Sequence, residues 1–189
     1  MTDIIQLQCS CKSVKGELQL VPKHTIHVHC YCCDCKTVAE YLSSNKSLDN
    51  NDASQLLQTY PQYLSITQGL EHVSCLKVTE KGKLRWYTRC CNTSIGNTMD
   101  SYKVPFLGVS TDFMNFENDQ EKSKCLGPVY MKAFGKYIEG EKPNDVSDTF
   151  PLSYTPKLMT FMMKGMILKK NKPSVFFESK KAIKPAKLL

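Results

Sequence analysis

No apolar run in the sequence approaches the roughly 20 residues a helix needs to cross a bilayer. No basic segment followed by an apolar stretch opens it, so the first residues do not read as a secretory leader. There is one Trp in 189 residues, no internal repeat and no long low-complexity tract. These absences set aside membrane-spanning, repeat and fibrous classes. They predict a cytoplasmic chain with no membrane partner.

What is present suits one domain with an appendage. Hydrophobic residues make up 41%, enough for a buried core, and charged residues 23%. The charge is unevenly placed. Residues 157–189 carry nine Lys against Glu178, a net of +8, so the remainder of the +7 chain sums to −1. A basic C-terminal segment can meet phosphates or another acidic partner. This one lacks the interleaved aromatics and glycines of a nucleic-acid module, and reads first as a solvated tail.

Ten cysteines is a high count for this length. Where thiols stay reduced, clustered cysteines read as metal ligands rather than disulfides. Four fall within six residues, at Cys30, Cys32, Cys33 and Cys35. Cys9 and Cys11 lie upstream, Cys90 and Cys91 downstream. Zinc is the default metal for sulfur ligands.

Alternation predicts strands over residues 3–8, 14–21 and 25–29, the last delivering the chain to Cys30. Asp34 can cap a helix over 35–42, and the polar stretch 43–54 reads as a loop. Further strands are predicted at 55–60 and 63–67, then a hairpin of 73–79 with 84–89 that ends at Cys90. All three cysteine clusters thus sit at strand ends. Residues 92–97 read as a turn, and 104–109 as a strand that Pro105 confines to an edge. Helices are predicted over 127–138 and 156–168, and the chain beyond Pro173 is predicted to fray.

Cys30, Cys32 and Cys35 form a C-x-C-x-x-C run. Three thiolates give zinc three ligands and leave a fourth position for water or a substrate sulfur; a closed structural site, completed by Cys33 or a His, is the other reading. Cys9, Cys11, Cys90 and Cys91 could hold a second ion. Against that, adjacent side chains on an extended chain point to opposite faces, so one of the pair could be a core thiol. One or two Zn2+ ions are therefore expected. Cys75 and Cys125 read as packing. His24, His27 and His29 read as surface or hydrogen-bonded residues before ligands. Arg85 and Arg89 lie opposite Trp86 and read first as surface ion pairs, second as carboxylate partners.

Taken in order, Cys9-x-Cys11, Cys30-Tyr31-Cys32-x-x-Cys35 at a strand end, and a strand running into Cys90-Cys91 resemble the glutathione-dependent formaldehyde-activating enzyme family, which includes centromere protein V. The stretch Arg85-Trp86-Tyr87 leading to Cys90-Cys91-Asn92-Thr93 is similar to a divergent branch of it. The resemblance covers roughly residues 5–110. It implies a mainly β, β-tent-like zinc-binding fold, with C-terminal helices added. It also implies a structural zinc at the outer clusters and a three-coordinate, catalytic zinc at Cys30, Cys32 and Cys35. The implied activity is that of a carbon–sulfur lyase, joining a small thiol such as glutathione to formaldehyde. The departures are a late C-x-x-C that is absent, with Thr93 and Ser94 in its place, and an extra thiol at Cys33. The expected organisation is a zinc-binding β domain over 1–112, a helical extension over 113–172 and a basic tail over 173–189. The alternative function is a non-catalytic zinc-stabilised binding module whose basic segment engages an acidic partner. A redox sensor using Cys33 is a third.

Overall fold

A computed structural model describes residues 3–42 and 53–189. The fold is mainly β, with a few helices. In chain order it runs β1 (Asp3–Gln8), β2 (Lys15–Leu20), β3 (Ile26–Cys30), α1 (Cys33–Leu42), β4 (Ser54–Thr59), β5 (Leu64–Gln68), β6 (Val73–Lys77) and β7 (Leu84–Thr88). Then come β8 (Ser94–Thr98), β9 (Leu107–Ser110), β10 (Met114–Asn115), α2 (Asp119–Leu126), β11 (Met131–Ala133), α3 (Thr155–Ile167), β12 (Phe177–Glu178), β13 (Lys181–Ala182) and β14 (Ala186–Leu188). The loop predicted for 43–54 lies largely outside the described residues. Among the described residues no helix is long and apolar enough to cross a membrane.

A four-stranded sheet has the order β10-β1-β2-β5, and an eight-stranded sheet the order β11-β3-β4-β9-β8-β7-β6-β14. A third pair, β12-β13, stands apart. The period-two signal places the core. Ile5 and Leu7 on β1 face inward with Val14, Leu18 and Leu20, and Ile5 sits opposite Leu18 in the ladder. On β3 the same alternation sends Val28 and Cys30 to one face and His27 and His29 to the other.

Several sequence expectations are corrected here. The strand at 107–110 is central, between β4 and β9's other neighbour β8, because Pro105 falls two residues before it begins and removes no ladder bond. Residues 94–98, read as turn chemistry, form β8 between β7 and β9. Residues 127–138 are not helical. Gly127 closes α2 by donating its N–H to the Ser123 carbonyl, and the following segment pairs in parallel with β3. Tyr130 donates to the His27 carbonyl at 2.9 Å and Tyr31 to the Ala133 carbonyl at 3.0 Å, so the open edge of β3 claims backbone that a helix would use.

The chain after residue 112 joins both sheets through β10, β11 and β14. The predicted C-terminal helix is present as α3. It docks by Phe161, stacked on Tyr60 at 4.3 Å, whose hydroxyl donates to the Phe161 carbonyl at 2.7 Å. Phe176 stacks on the buried Trp86 at 4.7 Å. Such aromatic pairs contribute about 0.5–1.5 kcal/mol each beyond area burial. The stretch predicted to fray instead supplies β14, paired in parallel with β6.

Gly96 lies opposite Trp86, with φ +152°. A Cβ there would stand 2.2 Å from the Gly108 carbonyl oxygen, a backbone atom with no freedom to swing away. Gly96→Ala is expected to destabilise the fold by about 2 kcal/mol or more, read as a lowered midpoint in urea denaturation.

Candidate metal centres

The first centre forms where two turns meet. After β1 the chain turns tightly: Lys12 donates to the Cys9 carbonyl at 2.8 Å and adopts φ +65°, while the Val14 N–H points at Cys9 Sγ at 3.2 Å. After β7 a second turn carries Cys90 and Cys91, closed by Asn92 at φ +55° with its N–H on the Thr88 carbonyl at 2.7 Å. This turn removes the strand-face objection to adjacent cysteines. The Sγ atoms of Cys9, Cys11, Cys90 and Cys91 all lie within 4.8 Å of one another. Measured separations are 3.6 Å for Cys9–Cys11, 4.0 Å for Cys9–Cys90, 3.3 Å for Cys11–Cys90 and 3.9 Å for Cys90–Cys91. A tetrahedral ion with metal–sulfur bonds of about 2.3 Å sets its sulfurs about 3.8 Å apart, so this group fits one.

Thr93 holds the two turns together. Its hydroxyl accepts the Ser10 N–H at 3.0 Å, donates to Ser10 Oγ at 3.1 Å and stands 3.2 Å from Cys91 Sγ. Burial works against ionisation at Cys91, yet contacts with the Thr88 and Thr93 hydroxyls outweigh it and bring the thiol down to about 5. Thr93 thus serves this turn through oxygen.

The second centre lies where β3 passes into α1. Cys30 ends the strand, Cys32 follows it, and the Cys32 carbonyl accepts the N–H groups of Cys35 and Lys36. The helix begins at Cys33, two residues earlier than a cap at Asp34 would require, which sets Asp34 in its first turn. Cys30, Cys32 and Cys35 form a group within 4.8 Å, with Cys30 and Cys32 3.4 Å apart. Their neighbours drive them in opposite directions. Cys35 is held well below the usual thiol range by the Cys30 and Cys32 groups, helped by Arg85, whereas Cys32, Cys35 and burial push Cys30 well above it. One thiolate is easily accommodated; a bound cation is what would let all three ionise. Cys33 is exposed and outside the group, its Sγ 3.8 Å from Asp34 Oδ1.

Arg85 is the residue that sequence reasoning undervalued. It is 9% exposed, not a surface residue. Its Nη1 lies 3.7 Å from Cys35 Sγ and its Nη2 3.9 Å from Asp34 Oδ2. The face opposite Trp86 is covered by α1 and the second centre rather than by water. Three thiolates on a divalent ion would leave one formal negative charge, for which the guanidinium would be the counterion. Arg89, by contrast, is exposed.

The three sulfurs open onto a cavity of about 500 Å³. Beside Cys30, Cys32 and Cys35 it is lined by Lys81, Lys83 and Arg85 and by Phe134, Phe150 and Tyr154. Asn97, opposite Arg85 in the β7–β8 ladder, also lines it and keeps a buried Oδ1 with no hydrogen-bond partner. His27 and His29 face a different cavity, and neither joins a cysteine group. His27 is buried with Nδ1 3.1 Å from the Gly127 carbonyl, and burial lowers its pKa. Cys75 is buried as packing, its thiol pushed up to about 12 by burial.

Thr93→Val is expected to destabilise the protein by about 1–3 kcal/mol, because the Ser10 N–H loses its acceptor. Chemical denaturation of the variant beside Thr93→Ser, which keeps the hydroxyl and restores the midpoint, checks this.

No curated protein matches the chain. Among solved structures, a Rhodobacter sphaeroides protein determined by structural genomics is similar at 17% identity and a TM-score of 0.45, over 66% of this chain and 96% of that one. Over residues 1–187 the sequence matches the family of unknown function DUF6151, and the chain belongs to that family.

Proposed function

We propose that this chain is a zinc protein whose reactive centre is Cys30, Cys32 and Cys35, and that it makes or breaks the carbon–sulfur bond between a thiol and an aldehyde. The observation that carries this reading is the cavity: three sulfurs at its wall, with no fourth metal-ligating side chain in their group among the described residues. A closed structural site would bring a fourth ligand and no room for a substrate. The resemblance to the formaldehyde-activating enzyme family supports the same assignment, as does the order of the clusters.

Zinc held there would supply a soft centre that binds an incoming thiol as thiolate. The protein's own groups do the rest. Arg85 balances the charge of the crowded sulfurs. Lys81 and Lys83 draw an anionic substrate to the cavity. In the joining direction the sulfur–carbon bond forms, and the thiol proton ends on the former carbonyl oxygen. The outer cluster, Cys9, Cys11, Cys90 and Cys91, is read as a structural zinc that ties the two sheets.

Native mass spectrometry of protein purified reduced and without chelator is expected to show two zinc ions. Cys32→Ser should retain one zinc and lose any glutathione adduct. Cys91→Ser should retain one zinc and the adduct, with a lowered melting temperature. In exchange NMR, the wild-type chain should speed interconversion of glutathione and its formaldehyde adduct, and Cys32→Ser should not. Protein without zinc, or an adduct that survives Cys32→Ser, overturns the assignment.

A further inference from the structure

Resting on the reading of Cys30, Cys32 and Cys35 as a thiol-binding centre, we propose that the cavity selects a thiol with an apolar, ring-sized body and one acidic group, in preference to a hydrophilic peptide thiol. The lining combines basic and aromatic side chains. Lys81 and Lys83 come from the turn between β6 and β7, and Lys83 Nζ rests 5.1 Å over the Phe106 ring. The same cavity is lined by Met131, Phe134, Tyr137, Phe150, Tyr154 and Leu158. A peptide thiol carries amides, an ammonium and two carboxylates, each of which needs a partner once water is removed. Of the polar groups among these residues, the Tyr154 hydroxyl is already donated to Gln58 Oε1 at 2.6 Å, and Met131, Phe134, Phe150 and Leu158 offer no polar side-chain partner. An apolar ring needs no such partners. The volume of about 500 Å³ suits a small ligand of that kind.

Phe134 adds an independent observation. It follows β11 directly, with φ +68° and ψ +35°, a left-handed conformation that disfavours a bulky residue. Glycine would take this conformation without strain, and glycine occupies the next position. Gly135 has its own reason to stay, because a Cβ there would stand 2.8 Å from Val146 Cγ1. Phe134 takes this conformation against its backbone preference, and it lines the cavity together with Cys30, Cys32 and Cys35. Ala133, one residue earlier, is in register with Cys30, so ring and thiol are presented from neighbouring strands.

The test is isothermal titration calorimetry on the zinc-loaded chain with three probes: 2-mercapto-3-phenylpropanoate, glutathione, and the S-methylated form of the first. The aryl mercapto-acid is expected to bind at least tenfold tighter than glutathione. Phe134→Asn keeps a residue that tolerates the left-handed backbone and removes the ring; it should abolish that tenfold preference, and Phe134→Tyr should restore it. If circular dichroism shows that Phe134→Asn does not fold, Phe150→Leu serves in its place. Glutathione binding as tightly as the aryl acid, or an aryl acid unaffected by loss of the ring, overturns the inference while the thiol-binding reading stands. An S-methylated probe that binds as tightly as the free thiol upholds the selective cavity and removes the thiol-binding reading instead. No binding by any probe overturns it.

Discussion

Two turns some eighty residues apart bring four sulfurs within 4.8 Å of each other, and much else hangs on that meeting. Cys9 and Cys11 follow β1 in the small sheet; Cys90 and Cys91 follow β7 in the large one. Crowded thiols repel as soon as more than one ionises, so the arrangement is stable only if a cation or retained protons offset the charge. The Thr93–Ser10 contacts position the turns without supplying that charge. The same constraint, met differently, shapes the second centre, where a buried guanidinium is part of the balance.

Much of this was legible beforehand. Alternation marked strands that carry the cysteines, and all three clusters were placed at strand ends, where the structure divides them between two centres. Residues 30, 32 and 35 were a sound group because strand, turn and helix onset are local events. The extra thiol at Cys33 falls outside because the first helical turn rotates it away from its neighbours. What escaped the sequence were contacts made across long separations. Strands of two or three residues, such as those at 131–133 and 186–188, have no period to detect. Their pairing is decided by an open edge elsewhere in the chain. Residues 94–98 carry Gly and Asn that look like a turn, yet the glycine is there so that two backbones can approach. The helix at 119–126 left a weaker trace. Asn118 caps it and Glu121 reaches back to the Glu117 N–H, a capping signal that precedes too thin an apolar stripe to notice.

Arg85 shows why site residues were harder than fold. Its place opposite Trp86 was correctly read, but a sheet face can be covered by something other than water. Here it is covered by the helix that the cysteine run itself begins. The sequence therefore held both halves of the contact, charge on one side and sulfur on the other, with nothing to say that they touch. The cavity walls follow the same logic. The sulfurs come from the first 35 residues and the aromatic wall from beyond residue 130, so no local pattern could describe the pocket as a whole.

The parallel strand formed by residues 186–188 has a consequence for solution behaviour. An outer strand of a sheet offers a row of unpaired amide groups on which another chain can build. In the eight-stranded sheet β6 would be that strand, and it is capped by a short segment bearing Lys187, with Lys184 just before it. Three residues are too few to template further growth, and their lysines repel a like neighbour. The basic stretch that looked like a loose appendage thus serves as an edge guard, keeping the largest sheet of the molecule from becoming a surface for aggregation.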